Sequence, residues 1–457
     1  MATTDSAQFI KATYDKVAWR LVPFLFICYI VAFLDRVNVG FAKLQMAGDL
    51  KFSDTVYGFG AGIFFIGYFI FEVPSNVILE RVGARLWIAR IMITWGIISS
   101  AFMFTNEIHW GVIARMFNCT DAEFSFYVLR FLLGAAEAGF FPGIILYLTY
   151  WFPGPRRAKM VALFMTAIAI SNAVGSPISG GIMQFMDGVN AWRGWQWLFL
   201  LEGIPSIIVG LLVFAWLDNG PKAAKWLADA EKTIIARQLA EDDAGKQALG
   251  RRHSFMDAFR DGRVWALALV YFCGVVCFYA VNFWMPTIIQ EVGIEKTDYL
   301  KVGLLSIIPW GLAAAAMVYW GDHSDRSGER RWHAAGGLLL AIVGMIILAL
   351  IGKGSVVVSL TALSLVTVGL LSWVATFWSL PTAFLSGTAA AAGIAWINSV
   401  GNLGGHFGPD LIGRIRTATG GSTEAAFFTL SAVALLGALI ILFLPRTQRL
   451  LEAQAQK

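Results

Sequence analysis

Twelve runs of about 20 residues in this chain are dominated by apolar side chains, the length an α-helix needs to cross the hydrocarbon core of a bilayer. They fall at 20–41, 56–78, 86–105, 126–150, 158–182, 197–217, 264–288, 299–320, 334–352, 355–386, 389–413 and 424–444. In hydrocarbon every backbone N–H and C=O must be satisfied within the segment, so such runs fold as helices. Composition agrees: 58% of the 457 residues are hydrophobic and 14% charged, against roughly 25% charged in soluble domains. A fold in water would leave large apolar patches uncovered. The 18 Trp and 35 Phe suit a lipid-facing surface with interfacial belts. A net charge of +5 is compatible with a nucleic-acid partner, but the bases lie in short loops between apolar runs, so none is expected.

The polar start, Met1 to Arg20, leads into an apolar run without a small-residue cleavage site, so the first span is read as uncleaved. Cys28, Cys273 and Cys277 lie in apolar runs and Cys119 in a loop, which predicts neither disulfide nor metal. The one long charged stretch, 218–263, holds nine Lys or Arg, Lys246, Arg251 and Arg252 among them, with eight acids. It predicts a linker between a bundle at 1–217 and a second at 264–457. Lysine and arginine bias sets orientation. Arg81 and Arg85, Arg156, Arg157 and Lys159, and Arg326, Arg330 and Arg331 share one face with Lys11, Lys16, Arg20, Arg446 and Arg449. The other face has scattered bases such as Lys43, Arg115 and Lys353. Both termini are therefore predicted to be cytoplasmic.

The two halves repeat a signature. Glu80-Arg81-Val82-Gly83-Ala84-Arg85-Leu86-Trp87 follows span 2, and Asp325-Arg326-Ser327-Gly328-Glu329-Arg330-Arg331-Trp332 follows span 8. A weaker echo pairs Asn172-x-Val-Gly175 with Asn398-x-Val-Gly401. Duplicated six-span halves are a transporter plan with the substrate site between them. The loop signature resembles the repeated motif of the major facilitator superfamily. That resemblance implies twelve helices in two pseudo-symmetric six-helix bundles, and a gating network of Glu80, Arg81, Gly83, Arg85, Asp325, Arg326, Gly328 and Arg330. Ordinary positive-inside anchoring would explain the bases alone but not their repetition.

Ionisable residues inside a span cost roughly 2.5–3.5 kcal/mol or more, so each needs a reason. Five stand out: Asp35 and Arg36 in span 1, Glu72 in span 2, and Arg130 and Glu137 in span 4. Asp35 and Arg36 lie about 22–24 Å along the helix from Arg20, and Glu137 about 10 Å below Arg130 on the same face. The expected arrangement is an outer cluster of Asp35, Arg36 and Arg130 over one carboxylate. Two guanidiniums and one aspartate leave a positive charge for an anionic passenger, and a guanidinium fits a carboxylate in bidentate fashion. Glu137 is placed to exchange a proton as the passenger comes and goes. The competing view makes Asp35–Arg130 a helix clamp and Glu137 a helix–helix hydrogen bonder, while Glu72, before Pro74 and near the cytoplasmic end, is read as structural.

Four segments sharpen the resemblance: Leu34-Asp35-Arg36-Val37-Asn38; Phe71-Glu72-Val73-Pro74-Ser75-Asn76; Arg130-Phe131-Leu132-Leu133-Gly134-x-x-Glu137-Ala138-Gly139-Phe140-x-Pro142; and Asn398-Ser399-Val400-Gly401-Asn402-Leu403-Gly404-Gly405. They resemble signatures of the anion:cation symporter family, whose members move tartrate, phthalate, hydroxyphenylacetate or sugar acids with protons. The resemblance implies that Arg36 grips substrate with Arg130 as partner, and that Asp35 and Glu137 carry protons. It further implies that Tyr68, Trp378 and Asn398 line the pocket. Phe33, Ile168, Ala375 and Phe377 stand where sugar-acid members tend to have polar groups. Each swap removes a hydrogen bonder that a polyhydroxylated ligand needs in a dry pocket.

On span 7, Tyr271, Tyr279, Asn282 and Trp284 are further candidates. Tyr279 and Asn282, three apart, share a helix face and are expected to meet the ligand. His406 is either a proton relay or a backbone-bonded histidine, and the glycines of 401–408 suit close helix packing better than nucleotide binding. The expected activity is proton-coupled import of a small organic carboxylate, an aromatic acid or a dicarboxylate such as phthalate or tartrate. An organic-anion exchanger or a sugar-acid symporter of the same fold is the alternative. Span 7 lacks any charge, which disfavours phosphate-linked antiport. Nothing predicts an enzyme, a cofactor or a metal. A monomer surrounded by lipid in a bacterial-type inner membrane is expected.

Overall fold

The computed structural model describes residues 2–248, 260–384 and 387–444. Arg251, Arg252, Arg446 and Arg449 lie outside the described residues, as do the side chains of Lys159, Lys246 and Lys353. Helices make the fold, with no strand among the described residues. Eleven crossings are long and apolar enough to span a bilayer. The remaining one, span 11, is the more polar pair Gly387–Asn402 and Gly404–Ala418, which packs on spans 2 and 7.

Helices overrun the apolar windows because their ends are set by caps and not by lipid. Span 2 runs Asp54–Val82: the Ser53 hydroxyl accepts from the Val56 amide at 3.1 Å, and Gly83 stops the helix at φ 90°. Span 1 is helical over Ala2–Val37 and continues past Asn38 as Val39–Asp49. Spans 3 and 6 are Ala84–Ala101 and Gly194–Trp216. Span 4, expected as one helix, is two, Asp121–Glu137 and Phe140–Thr149. Gly139 makes the break at φ 83°, where a Cβ would also lie 2.4 Å from the Ser75 hydroxyl. Span 5 (Gly154–Met165, Ala167–Phe185) and span 10 (Val356–Phe377, Ser379–Phe384) are interrupted as well. Spans 7, 8, 9 and 12 are Gly262–Glu291, Tyr299–Ser327, Arg331–Ile351 and Glu424–Phe443.

Span 3 packs on span 6 and span 2 on span 4 in one bundle, while span 9 packs on spans 10 and 12 in the other. The bundles meet where span 5 crosses span 8 and span 2 crosses span 11. Those crossings are tight on the face remote from the chain termini. A Cβ on Gly58 would lie 2.5 Å from the Pro409 carbonyl oxygen, and one on Gly303 2.4 Å from that of Ser176. Glycine at these places lets two backbones touch. Towards the termini, the linker helix Asp229–Ala248 is tied to span 1 by Lys16, whose ammonium reaches both Glu231 carboxylate oxygens at 3.0 and 2.8 Å.

Candidate functional site

Arg36 leaves span 1 two residues before its interruption and enters a cavity between the bundles. One guanidinium nitrogen donates to the Tyr279 hydroxyl at 2.9 Å, across from span 7, and another is ion-paired with Glu137. Glu137 closes the first half of span 4, so the Gly139 break presents its carboxylate to this point. The guanidinium also lies over the rings of Phe64, Phe33 and Tyr68 at 5.3, 5.6 and 5.7 Å. Aromatic faces stabilise a desolvated cation by about 0.5–2 kcal/mol, which offsets part of the cost of burying it at 8% exposure.

The cavity, about 710 Å³ including space open to solvent, draws on both bundles. Tyr29, Phe33, Phe65, Tyr68 and Ile168 line it from one, and Tyr271, Phe278, Tyr279, Trp373 and Asn398 from the other. Arg36 is its one cationic lining residue among the described residues. The surround is aromatic, with hydroxyl and amide groups as the remaining polar atoms. Trp378 is set behind this wall, packed on Tyr271 with ring centroids 4.8 Å apart. Phe377 stacks on the same tyrosine at 5.1 Å.

The outer cluster expected of Asp35, Arg36 and Arg130 does not form. Successive helical residues point about 100° apart, so Asp35 turns away from the cavity into its own bundle. There it accepts hydrogen bonds from Trp95 Nε1 (2.9 Å), Ser99 Oγ (2.7 Å) and Ser206 Oγ (2.5 Å). Arg130, fully buried, meets backbone instead of a carboxylate. It donates to the carbonyl oxygens of Ala61 at 3.0 Å and Arg36 at 3.4 Å. The second is freed near the C-terminal end of the first helix of span 1, where a cation suits the helix dipole. Arg130 holds the strand of backbone that carries Arg36 and does not itself line the cavity. Asn282 also faces elsewhere: its amide donates to Asn172 Oδ1 at 3.3 Å beside a second, smaller cavity. Tyr279 and Asn282 thus serve different spaces, because the wide central opening takes only one edge of span 7.

Glu72, read as structural, joins the two bundles. Its carboxylate accepts from Asn398 Nδ2 at 2.9 Å and Ser399 Oγ at 3.1 Å on span 11. These bonds tie span 2 to span 11 across the bundles. The repeated loop motifs stay within their own halves. Arg85 donates to the Phe214 carbonyl, Arg330 pairs with Asp325 and Arg326 with Asp322, while Glu80 and Arg81 are exposed. Gly83 and Gly328 supply the positive-φ turns at φ 90° and 67°. His406 is a half-buried residue packed on Phe59, its ring nitrogen Nδ1 without a partner.

Sequence reading passed over one charged cluster that ties the halves together on the remote face. Asp54 of span 2 holds Lys43 Nζ at 3.0 Å and Arg416 Nε at 2.8 Å. Arg416, 5% exposed, reaches Glu291 with its other nitrogens at 3.1 and 2.6 Å. Lys43 and Arg416 lie just beyond the apolar windows drawn at 20–41 and 389–413, which hid them. Glu202, inside span 6, was missed although it stands alone in a 23-residue apolar helix.

Twelve helices in two bundles around a central, mostly aromatic cavity define a membrane transporter, and comparison with known proteins gives the family. The family model of the Major Facilitator Superfamily matches residues 25–409, and the chain belongs to that superfamily. A protein of Agrobacterium vitis named "Putative tartrate transporter" is 49% identical over 432 residues, 94% of this chain and 91% of that one. "Putative metabolite transport protein NicT" of Pseudomonas putida is 46% identical over 436 residues, 95% of each chain. Among solved structures, that of the D-xylose-proton symporter superposes with a TM-score of 0.72 at 16% identity, covering 94% of this chain and 98% of that one. A partially occluded, inward-open xylose transporter from E. coli gives 0.70, also at 16% identity, over 94% and 99%.

Proposed function

We propose that this transporter imports a small organic carboxylate with protons, and that Arg36 is where the passenger and Glu137 compete. The single observation that carries the reading is the buried Arg36–Glu137 pair on the cavity wall. One guanidinium offers one favourable bidentate seat. A passenger carboxylate that takes it displaces Glu137, and a carboxylate left buried without a counter-ion is unstable by several kcal/mol unless it gains a proton. Binding of the anion and uptake of a proton then become one event. When the passenger leaves, Arg36 returns to Glu137 and the proton is released. Tyr68, Tyr279 and Asn398 supply the remaining hydrogen bonds, and Trp378 backs Tyr271. Asp35 acts as the second proton-linked carboxylate from inside the bundle.

The passenger is an aromatic acid or a compact dicarboxylate. Phe33 and Ile168 line the cavity, where a sugar acid would leave its hydroxyls unsatisfied. The names of the Agrobacterium and Pseudomonas relatives favour the same class. The remote face is closed and the motif loops are unlinked, as in a state opening towards the termini. With both termini in the cytoplasm of a bacterial-type inner membrane, that state faces inward. Bundles at 1–217 and 264–457 rock about the cavity, and the loop motifs engage when they tilt the other way.

A thermal-shift panel of tartrate, phthalate and hydroxyphenylacetate selects the passenger for reconstituted uptake. Glu137→Gln then abolishes accumulation driven by a pH gradient but keeps counterflow exchange. Loss of counterflow would make Glu137 structural. Arg36→Lys keeps the charge but loses the fork. Charged hydrogen bonds are worth about 1.5–3 kcal/mol, so affinity falls at least about tenfold. Unchanged uptake by that variant refutes the assignment.

A further inference from the structure

Behind Asp35, and off the central cavity, lies a second buried carboxylate, that of Glu202. It is 4% exposed. One oxygen accepts from Ser179 Oγ at 2.6 Å, and the other has no hydrogen-bond partner among the described residues. Asn38, 1% exposed at the interruption of span 1, lies against its carboxylate. Glu202 stands one helical turn from Ser206, which donates to Asp35, so the two carboxylates approach each other from spans 6 and 1. No cation among the described residues is hydrogen-bonded or ion-paired to either.

The charged groups around Glu202 are few. Span 1 brings Asp35, while Arg36 is turned to the central cavity. Span 5 brings hydroxyls and no ionisable residue over 167–185. Span 3 brings Ser99, and its Arg90 lies at the far end over Trp87. On the continuation of span 1, Lys43 is committed to Asp54 and Asp49 to Arg193. Two neighbouring buried carboxylates without a counter-ion among the described residues cannot both be ionised at tolerable cost. Asp35 accepts three short hydrogen bonds, which suit an ionised group, whereas Glu202 accepts one short bond, from Ser179, with Asn38 beside it.

We infer that Glu202 is a further proton-carrying site, sharing a single proton with Asp35 and holding it in the state seen here. A route to it is visible. The second cavity, about 330 Å³ with open space included, is lined by Asn172, Ser176, Ser179, Asn282 and Ser306 at the junction of the bundles. Ser179 therefore has one side on that cavity and its hydroxyl on Glu202. From Glu202 the way leads by Ser206 to Asp35, with the proton passing from one carboxyl to the other and no further reactant. This site would lie on the remote-face side of the proton path, in series with the exchange at Glu137. It rests on the coupled-transport reading for its use but not for its occupancy.

The test is infrared difference spectroscopy of the full chain in liposomes, read in the carbonyl-stretch band of protonated carboxylic acids. Wild type shows such a band at neutral pH, and Glu202→Gln loses it. Should that variant fail to fold, Ser179→Ala removes the hydrogen bond to the carboxyl and moves the band to higher frequency. A Glu202→Gln spectrum identical with wild type, or a Ser179→Ala band that does not move, overturns the inference and leaves the Glu137 reading standing. Gradient-driven uptake that persists in Glu137→Gln overturns that reading while the Glu202 band remains.

Discussion

Replacing Asp54 with Asn tests what keeps the remote face shut. In the closed state Asp54 accepts from Arg416 at 2.8 Å across the bundles, and Lys43, from its own bundle, lies on the other oxygen at 3.0 Å. Exposed ion pairs contribute at most about 1 kcal/mol, but Arg416 is 5% exposed and sits over the Trp284 ring at 5.1 Å. A charged hydrogen bond in such surroundings is worth about 1.5–3 kcal/mol. The Asp54 side chain is 22% exposed, which puts the loss at the lower end, about 1.5–2 kcal/mol. If the pair exists only when the face is closed, the open population rises about 10- to 30-fold. Ser306 reports this well: it is 1% exposed, lines the second cavity behind the lock, and donates within its own helix to the Val302 carbonyl. Ser306→Cys, with the half-exposed Cys119 replaced by Ser, is labelled with a membrane-impermeant maleimide from the remote side. The Asp54→Asn background should speed labelling by that factor, and a double-mutant cycle with Arg416→Gln isolates the cross-bundle term. A labelling rate unchanged by Asp54→Asn would show that backbone packing alone closes the face.

The same labelling assay reads Gly58→Ala. Its Cβ would lie 2.5 Å from the Pro409 carbonyl oxygen, too close for the closed state to persist, so labelling should rise and transport slow; equal rates would mean that span 11 moves aside freely. The linker anchor has a pH signature. The hydrogen bond from Lys16 holds the Glu231 carboxyl below the usual glutamate range, helped by the Ala228 amide and opposed by partial burial. A depressed folded pKa means the anchor is complete above the ordinary glutamate value and lost as pH falls through the lowered one. Limited proteolysis within 218–263 should accelerate over that acidic window in wild type, and Glu231→Gln should be cleaved faster at neutral pH.

The spans were legible because length and apolarity are one-dimensional properties that lipid enforces directly. The doubled loop motif and the family likeness were legible for the same reason. Partners were not. Depth along a helix follows from counting residues, but direction depends on how each helix is rotated, and that is settled by packing. Asp35 and Arg130 were therefore joined to the wrong neighbours: Asp35 found Trp95, Ser99 and Ser206, and Arg130 found two backbone carbonyls. Glu72 looked structural because its donors, Asn398 and Ser399, lie more than 300 residues away in the chain. Lys43 and Arg416 were lost to window edges, since a helix with good caps runs past its apolar stretch. Glu202 was within reach: an ionisable residue inside an apolar helix is itself the signal.

Span 1 links these separate features. Over nine residues it delivers Asp35 to the carboxylate pair inside the bundle, Arg36 to the central cavity, and Lys43 to the lock on the remote face. The interruption at Asn38 lies between Arg36 and Lys43, and Arg130 grips the carbonyl just before it. A helix interrupted there does not have to move as one rod. The portion carrying Asp35 and Arg36 is free to answer the charge on Glu137 and Glu202, while the portion carrying Lys43 follows the packing against span 7. Under the proposed coupling, neutralising Glu137 releases Arg36 from span 4. The hydrogen bonding of Asp35 to spans 3 and 6 and the Arg130 bond to the Arg36 carbonyl then still hold that part of span 1. Passenger, proton and gate are thus connected through one segment of backbone and require no longer pathway.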